Sequence, residues 1–277
     1  MGETKIEWAE AVWNPVRGCS LVSAGCTNCY AMRQARRFPA YAGLTRLTGN
    51  GPVWTGEVRF VPEMLDYPLK LRKPHRIFVN SMSDLFHEAI PDSWIDRIFV
   101  KMIRASHHTF MVLTKRAMRM RTYMNYPRTL ERITKLAKSE GIQSFRWPIR
   151  NVWLGVSVED EKAVVRVVQL GQTRAALRWI SAEPLIGPFK LDRLWDYLDF
   201  AIIGGESGYG ARLMQLDWAR NLLREGQEYD VKMFVKQLGA EPYDGRNRLV
   251  LSDSKGGDMD EWPIDLRVRE YPNVNGS

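Results

Sequence analysis

Six short apolar runs, alternating with helical patterns, constrain the fold of this chain most strongly. Each run is rich in β-branched residues and ends at a polar or small residue, and their starts lie 22 to 42 residues apart. Most gaps carry a helical pattern, such as 93–104 or 218–228. Strand, helix and strand at this spacing predict parallel β-α-β units. The runs span 76–80, 109–114, 151–157, 177–182, 199–204 and 231–236.

The runs are nearly continuous in apolar residues, which is typical of a parallel sheet covered on both faces. An α/β fold is therefore expected, either a partial or closed (β/α) barrel or an open doubly wound sheet, and we favour the barrel. We assign residues 1–238 to it, with a basic insertion at 116–150 that forms one or two surface helices. Residues 239–277 lack a periodic apolar pattern, so we expect a C-terminal appendage that becomes a loose tail after Pro272.

All three cysteines of the chain, Cys19, Cys26 and Cys29, fall within eleven residues. Three thiols in one loop can hold a metal centre. A structural zinc ion would need a fourth Cys or His, but none of the four histidines lies in the loop, whereas a 4Fe-4S cluster on three Cys leaves one iron open for a small molecule. We favour the open cluster; zinc and purely structural thiols are the alternatives.

The net charge of +8 is unevenly distributed. Residues 11–56 contain five Arg and no acid, and residues 101–150 contain twelve Lys or Arg against Glu131 and Glu140. This pattern favours a polyanionic partner, most simply a nucleic acid, while the alternative is a solvated polar helix face. Aromatic side chains of the insertion are candidates for stacking on bases, namely Tyr123, Tyr126 and Trp147.

No apolar run approaches the length of a membrane span, so we expect no membrane partner. The first ten residues, MGETKIEWAE, contain acids and lack the apolar core of a secretory signal. A cytoplasmic location is the expectation that follows.

Polar residues follow each apolar run. Because the carboxyl ends of parallel strands meet at one edge of a sheet, that edge is where a site is expected. The residues concerned are Asn80, Ser81, Ser83, Asp84, Lys115, Arg116, Ser157, Glu159, Glu183, Gly205, Glu206, Lys236 and Gln237. Loops are generally polar, so the pattern alone does not assign a role.

The cysteine segment resembles the cluster loop of radical S-adenosylmethionine (radical SAM) enzymes, in particular the spore-photoproduct-lyase-like branch. The similarity rests on NPVRGC and GCTNCYAMR, and VNSMSDLFHEAIP and VLTKR resemble later segments of that branch in the expected order. Six residues separate Cys19 from Cys26, where that superfamily usually has three. The resemblance implies a radical SAM type barrel and a 4Fe-4S cluster on the three cysteines. It also implies that S-adenosylmethionine is cleaved reductively, with the electron supplied to the cluster by an external donor.

The resemblance also suggests roles for the polar strand ends. Residues expected to contact the cofactor are Tyr30, Asn80, Ser81, Ser83, Asp84, Ser157, Glu159, Glu183, Gly205 and Glu206. Residues expected to present positive charge or hydrogen bonds to a phosphate-bearing substrate are Lys115, Arg116, Arg212, Lys236 and Gln237. For Glu159 and Glu183 the alternative is a structural ion pair, and for Ser83 and Asp84 it is a capping role at the following turn. For Gly204-Gly205-Glu206 the alternative is a tight turn that needs glycine.

Nearly the whole chain resembles an uncharacterised phage-associated family with this widened three-cysteine motif, on segments such as VWLGVSVED, WISAEPLIGP and IIGGESGYGAR. We therefore expect a radical SAM enzyme that modifies or repairs a nucleic acid or nucleotide, with a dedicated partner protein encoded nearby. Two alternatives remain. The first is a non-catalytic nucleic-acid-binding protein with a structural zinc or iron-sulfur site, and the second is a radical SAM enzyme that acts on a partner protein.

Overall fold

The computed structural model describes residue 4 and residues 6–273, and it shows a mixed α/β chain. Fourteen strands are present in this part of the chain. Their bounds are β1 (Ala11–Trp13), β2 (Val16–Arg17), β3 (Thr45–Thr48), β4 (Gly51–Trp54), β5 (Arg59–Phe60), β6 (Arg76–Val79), β7 (Thr109–Thr114), β8 (Val152–Ser157), β9 (Leu177–Ala182), β10 (Phe200–Gly204), β11 (Met214–Gln215), β12 (Lys232–Gln237), β13 (Pro242–Asp244) and β14 (Asn247–Arg248).

Seven α-helices lie within the same described residues. Their bounds are α1 (Tyr30–Ala35), α2 (Tyr67–Lys70), α3 (Asp92–Arg104), α4 (Ala117–Asn125), α5 (Pro127–Ser139), α6 (Val165–Gly171) and α7 (Leu216–Glu228). Short 3-10 turns occur at Ala24–Cys26, Pro39–Tyr41, Pro62–Met64, Glu161–Ala163, Asp192–Tyr197, Met259–Glu261 and Ile264–Leu266. None of the described helices has the length and apolar content required to cross a membrane.

The main sheet has seven strands in the order β1-β6-β7-β8-β9-β10-β12. Strand β6 pairs in parallel with β1 and β7, and β10 pairs in parallel with β9 and β12. The predicted parallel α/β sheet is therefore confirmed. In the described residues the order has two end strands, β1 and β12, so the closed barrel that was one of our expectations is not seen.

All six predicted strands are present, with each end within one residue of its expected position. Strand β1 was missed because it has only three residues, too few for a periodic pattern. Its position is fixed by the side chain of Trp13, which is fully buried and donates from Nε1 to the carbonyl oxygen of Met64 at 2.7 Å.

The chain divides into two compact units. The first contains Met1–Val22, Ala31–Gly155 and Gln172–Leu177, and the second contains Ser23–Tyr30, Val156–Gly171 and Arg178–Ser277. Cys19 therefore belongs to the first unit, whereas Cys26 and Cys29 belong to the second.

In the first unit, helix α3 shows why the sequence folds as it does. Asp92 lies in its first turn and Lys101 and Arg104 in its last, so these charges complement the helix dipole. Ile95, Phe99 and Met102 recur at helical spacing and are fully buried. The helix packs against α5 and α2, with its apolar face buried in the first unit.

In the second unit, residues 268–270 lie along the outer edge of β12. The backbone N–H of Val235 donates to the carbonyl oxygen of Val268, and the N–H of Glu270 donates to the carbonyl oxygen of Met233. The N–H of Met233 donates in turn to the Glu270 carboxylate. Tyr271 packs on the ring of Phe234 at 5.3 Å between centroids. The predicted appendage thus includes a segment that pairs with the sheet. Of the tail predicted after Pro272, the part beyond residue 273 lies outside the described residues.

The basic insertion forms two helices, α4 and α5, as expected, but one of its aromatic residues was assigned wrongly. Tyr123 is buried rather than exposed, with Phe86 and Phe99 against its ring, and its hydroxyl donates to Asp96 Oδ1 at 2.7 Å. Burial and the Asp96 carboxylate raise the pKa of Tyr123 well above its usual value. Tyr126 is 46% exposed, in agreement with the prediction.

We predict that Tyr123→Phe lowers the free energy of unfolding by about 1–2 kcal/mol, because the buried Asp96 oxygen loses a hydrogen bond. The exposed Tyr126→Phe is the matched control and should change it by less than about 0.5 kcal/mol. Urea unfolding followed by circular dichroism measures both. Equal stability of the two variants would contradict the assigned hydrogen bond.

Candidate functional site

In the first unit, the chain after β1 runs alongside the chain after β6. Gly18 forms an isolated parallel bridge with Ser83, and Ser83 Oγ donates to the carbonyl oxygen of Val16 at 2.8 Å. Gly18 has a φ of +91°, and a Cβ there would lie 2.1 Å from the carbonyl oxygen of Glu57. Only glycine fits this position, immediately before Cys19.

Asn80 lies at the carboxyl end of β6 in the left-handed conformation, with a φ of +60°. Its Oδ1 accepts from the N–H of Val16 at 3.4 Å, and Asn14 accepts from the N–H of Met82 and hydrogen-bonds with Ser81. The side-chain nitrogen Nδ2 of Asn80 is buried and finds no hydrogen-bond partner among the described residues. An unpaired donor inside a protein is costly, so this nitrogen is suited to an acceptor on a bound molecule.

Asp84 is the centre of the polar residues at this edge. It is 5% exposed, and Oδ1 accepts from Thr114 Oγ1 at 2.7 Å and from the N–H of Phe86 at 3.0 Å. Oδ2 accepts from the N–H of Lys115 at 3.2 Å and from Arg116 Nη1 at 3.0 Å. The carboxylate therefore joins the carboxyl end of β6 to that of β7.

Arg116 is buried and contacts the cysteine loop directly. Its Nη1 lies 3.9 Å from Cys19 Sγ, Nη2 donates to Ser20 Oγ at 2.7 Å, and Nε donates to Glu88 at 2.8 Å. Burial alone would lower the pKa of Arg116, but the charges of Asp84 and Cys19 outweigh it and raise the pKa. A permanent positive charge thus lies beside the Cys19 sulfur, where it favours a thiolate.

Ser20 receives a second hydrogen bond from His87. The Nδ1 atom of His87 accepts from the N–H of Ala89 at 3.1 Å, so the proton of the neutral ring is on Nε2, which donates to Ser20 Oγ at 2.8 Å. Burial, and then the charge of Arg116, lower the pKa of His87. Ser20 is therefore held by two donors from different segments of the first unit.

In the second unit, Glu159 holds the start of the Ser23–Tyr30 segment. This carboxylate is 1% exposed; it accepts from Ser23 Oγ and pairs with Arg166 Nη1 at 2.7 Å. Arg166 also donates to the carbonyl oxygen of Ser157 at 2.7 Å. A Cβ at Gly25 would lie 3.0 Å from the Glu159 carboxyl carbon, so the segment packs closely on this acid.

Glu206 holds the other end of the same segment. It accepts from Asn28 Nδ2 at 3.0 Å and from the N–H and Nε of Arg212, each at 2.9 Å, and Arg212 Nη1 donates to the carbonyl oxygen of Ala24 at 2.9 Å. Burial alone would raise the pKa of Glu206, but the hydrogen bonds from Arg212 and Asn28 outweigh it and lower the pKa. The carboxylate is ionised and bound at neutral pH.

The structure pairs several residues that the sequence assigned separately to cofactor and substrate. Glu183 forms an ion pair with Lys236 at 2.5 Å, and Gln237 Nε2 donates to the carbonyl oxygen of Gly205 at 3.0 Å. Tyr30 begins α1 and is 44% exposed. Glu159 and Glu183 thus form the structural ion pairs that were their alternative assignment. Glu206 also forms an ion pair, with Arg212, which the sequence did not predict.

The donor chemistry of the three cysteines fits an iron-sulfur cluster, because thiolates are the ligands that such clusters take. Each of the three cysteines is half-buried. Over the residues that the structure describes, no three Cys, His, Asp or Glu side chains are grouped so as to hold a metal ion.

Four residues that the sequence did not single out complete these networks, namely Ser20, Asn28, His87 and Arg166. His87 lies in the segment VNSMSDLFHE, so its neighbourhood was identified but its role was not. Asn28 carries no local signal, since its partner Glu206 is 178 residues away in the chain. Arg166 lies only seven residues after its partner Glu159, a spacing that the sequence reading did not use.

The parallel sheet with polar networks at its strand ends defines an α/β protein with a candidate site on the loops that follow the strands. The chain belongs to the family described as "Protein of unknown function (DUF5131)", whose model matches residues 3–263. No curated protein and no solved structure matches the chain significantly.

We predict that Arg116→Gln lowers the free energy of unfolding by about 3–5 kcal/mol, because it leaves the buried Asp84 carboxylate without its counter-ion. In whatever fraction folds, Cys19 should also change its rate of alkylation relative to Cys26. Urea unfolding measures the first effect, and peptide mass spectrometry after timed alkylation measures the second.

Arg104→Gln is the control for this prediction. Like Arg116→Gln, it removes one positive charge, but the Arg104 side chain is 49% exposed and its Nη1 lies 3.6 Å from Glu140 Oε2. The free energy of unfolding should therefore fall by less than about 1 kcal/mol. A similar small loss in Arg116→Gln would show that the Arg116 network does not stabilise the loop.

We also predict that Glu206→Gln increases hydrogen exchange at residues 24–30 by about tenfold or more, because two charge-assisted hydrogen bonds from Arg212 are weakened. Exchange mass spectrometry of the folded protein checks this. Glu241→Gln, which removes the exposed pair with Arg248, is the control and should leave these amides unchanged.

Proposed function

We propose that this protein is a radical SAM type iron-sulfur enzyme that reductively cleaves S-adenosylmethionine and abstracts hydrogen from a nucleic acid or nucleotide. The finer architecture included in this proposal is a partial (β/α) barrel of the radical SAM type. The proposal also includes an external electron donor and, from the resemblance, a dedicated partner protein. A cytoplasmic location accords with this chemistry.

The observation that carries the proposal is the surroundings of Cys19. This thiol follows Gly18, which forms an isolated parallel bridge with Ser83 just beyond β6. It lies beside the buried Arg116, whose side chain pairs with Asp84 at the polar ends of β6 and β7. Strand ends of this kind are the usual location of ligand sites in parallel α/β folds. Three thiols within eleven residues, as the donor set, supply the second argument.

When bound, the cluster and S-adenosylmethionine would supply the electron transfer that cleaves the sulfonium and starts hydrogen abstraction. The residues of this chain then have separate tasks. Cys19, Cys26 and Cys29 would hold the cluster, and Asn80 Nδ2 offers a buried hydrogen-bond donor to the cofactor. Arg116 keeps a fixed positive charge at the Cys19 sulfur.

The acids of the second unit have a positioning task in this proposal. Glu159 and Glu206 are bound to Arg166 and Arg212 and to residues of the Ser23–Tyr30 segment. They would keep Cys26 and Cys29 in place rather than contact the methionyl group. Of the cations predicted to bind substrate, Arg116, Arg212 and Lys236 are paired with acids. Lys115 forms no ion pair among the described residues and remains available for a substrate phosphate.

The test is to purify the protein without oxygen, count iron, sulfide and zinc, and record the reduced EPR spectrum with and without S-adenosylmethionine. About four irons and a spectrum altered by the cofactor are expected. Stoichiometric zinc without iron would overturn the proposal and favour the non-catalytic binding protein.

Cys26→Ala should abolish both the cluster and cleavage of S-adenosylmethionine, because it removes one of the three thiolate ligands. Thr27→Ala is the matched control, since Thr27 is the exposed neighbour within the same loop and should retain iron. Iron content and the release of 5′-deoxyadenosine measure the outcome. Retention of either in Cys26→Ala would show that the ligand assignment is wrong.

A further inference from the structure

The exposed hairpin β3–β4 and the loops beside it form an arginine-rich surface that none of the preceding networks uses. We name residues 36–59 the arginine arm. Over residues 11–62 the sequence has six Arg, no Lys and one acid, Glu57. Four exposed arginines lie in the arm itself, namely Arg36, Arg37, Arg46 and Arg59.

The arginines of the arm are not neutralised by acids. Among the residues that the structure describes, none of the four forms an ion pair. Arg59 donates instead to the backbone carbonyl of Ala42 at 3.3 Å, which leaves its charge uncompensated. This local field attracts polyanions.

The insertion at 116–150 differs in this respect, although the sequence pointed to it equally. Arg116 pairs with Asp84 and Glu88, Arg119 with Asp92, and Arg132 with Asp92 and Asp96. Three of its nine cations are therefore paired with acids from elsewhere in the first unit, and the other six form no ion pair among the described residues. The fold removes part of the positive charge that the sequence places in the insertion.

The geometry of the arm also favours docking. Strands β3 and β4 pair antiparallel, with Arg46 opposite Val53, and a two-residue turn, Gly49–Asn50, closes the hairpin. A Cβ at Gly43, Gly49, Gly51 or Gly56 would meet no heavy atom within 4 Å. Trp54 is buried at the base of the hairpin, and Arg46, Leu47 and the Gly49–Asn50 turn are exposed.

We propose that the arginine arm is a docking surface for duplex DNA. A two-stranded ribbon fits the major groove, and guanidinium groups bind phosphates through paired hydrogen bonds. The arm exposes only Phe38 and Leu47 as large apolar side chains and has no amphipathic helix, so a membrane surface is the weaker fit. The inference shares with the proposed function the expectation of a nucleic-acid partner, but it does not require the cluster.

The test compares two triple variants of the full-length protein. Arg36→Gln/Arg37→Gln/Arg46→Gln removes three charges from the arm. Arg128→Gln/Lys135→Gln/Lys138→Gln is the matched control and removes three charges from the insertion. These three side chains are also exposed and form no ion pair among the described residues. Binding to a 20-base-pair duplex is measured by fluorescence anisotropy over a range of salt concentrations. Circular dichroism confirms that both variants fold.

We expect the arm variant to bind at least about tenfold more weakly and to reduce the slope of log K against log salt by about 2–3, since each lost phosphate contact removes about 0.9. The insertion variant should bind more tightly than the arm variant and keep nearly the original slope. Arg36→Lys/Arg37→Lys/Arg46→Lys should retain most of the slope, because it keeps the charge.

Three outcomes would overturn the proposal: an equal loss in both triple variants, a larger loss in the insertion variant, or binding of anionic vesicles in preference to duplex DNA. Tighter binding to duplex RNA or to single strands would also count against it. The measurement is made on metal-free and metal-loaded protein alike. Both forms should bind DNA through the arm, because the arm does not include the cysteines. If protein purified without oxygen holds no iron but binds DNA through the arm, the proposed function fails and this inference stands.

Discussion

The buried ion pair between Asp84 and Arg116 is the interaction on which the candidate site of the first unit depends. A carboxylate placed in the interior requires compensation by charge and hydrogen bonds, and Asp84 receives both from the chain at the carboxyl end of β7. In turn, Arg116 uses its remaining donors on Cys19, Ser20 and Glu88. One electrostatic requirement therefore fixes two strand ends and one half of the cysteine loop together.

A similar principle operates in the second unit, where the buried acids serve as anchors. Glu159 and Glu206 each combine an arginine with a polar side chain of the Ser23–Tyr30 segment. A carboxylate already saturated by such partners has few lone pairs left for a ligand. Their presence at strand ends thus has a structural cause, and it is compatible with a functional loop because the loop itself is what they hold.

The fold was largely predictable from the sequence, whereas the pairing of the site residues was not. Runs such as 109–114 and 177–182 are strands because long apolar stretches with β-branched residues have few other solutions in a chain of this kind. Strand β1 has three residues and no such signal. Tyr123 was misjudged because its local sequence is basic, while its environment is set by Phe86 and Asp96, which are distant in the chain.

The same limit applies to charge, and it explains why the arginine arm stands out only in the structure. Counting Lys and Arg gives the insertion the larger excess, but the count does not show which acids the fold brings to them. Asp92 and Asp96 come from α3 and neutralise Arg132, whereas the arm contains a single acid, Glu57. The field at a surface depends on charges left uncompensated after folding. A polyanion that reaches the arm therefore meets guanidinium charges that form no ion pair among the described residues.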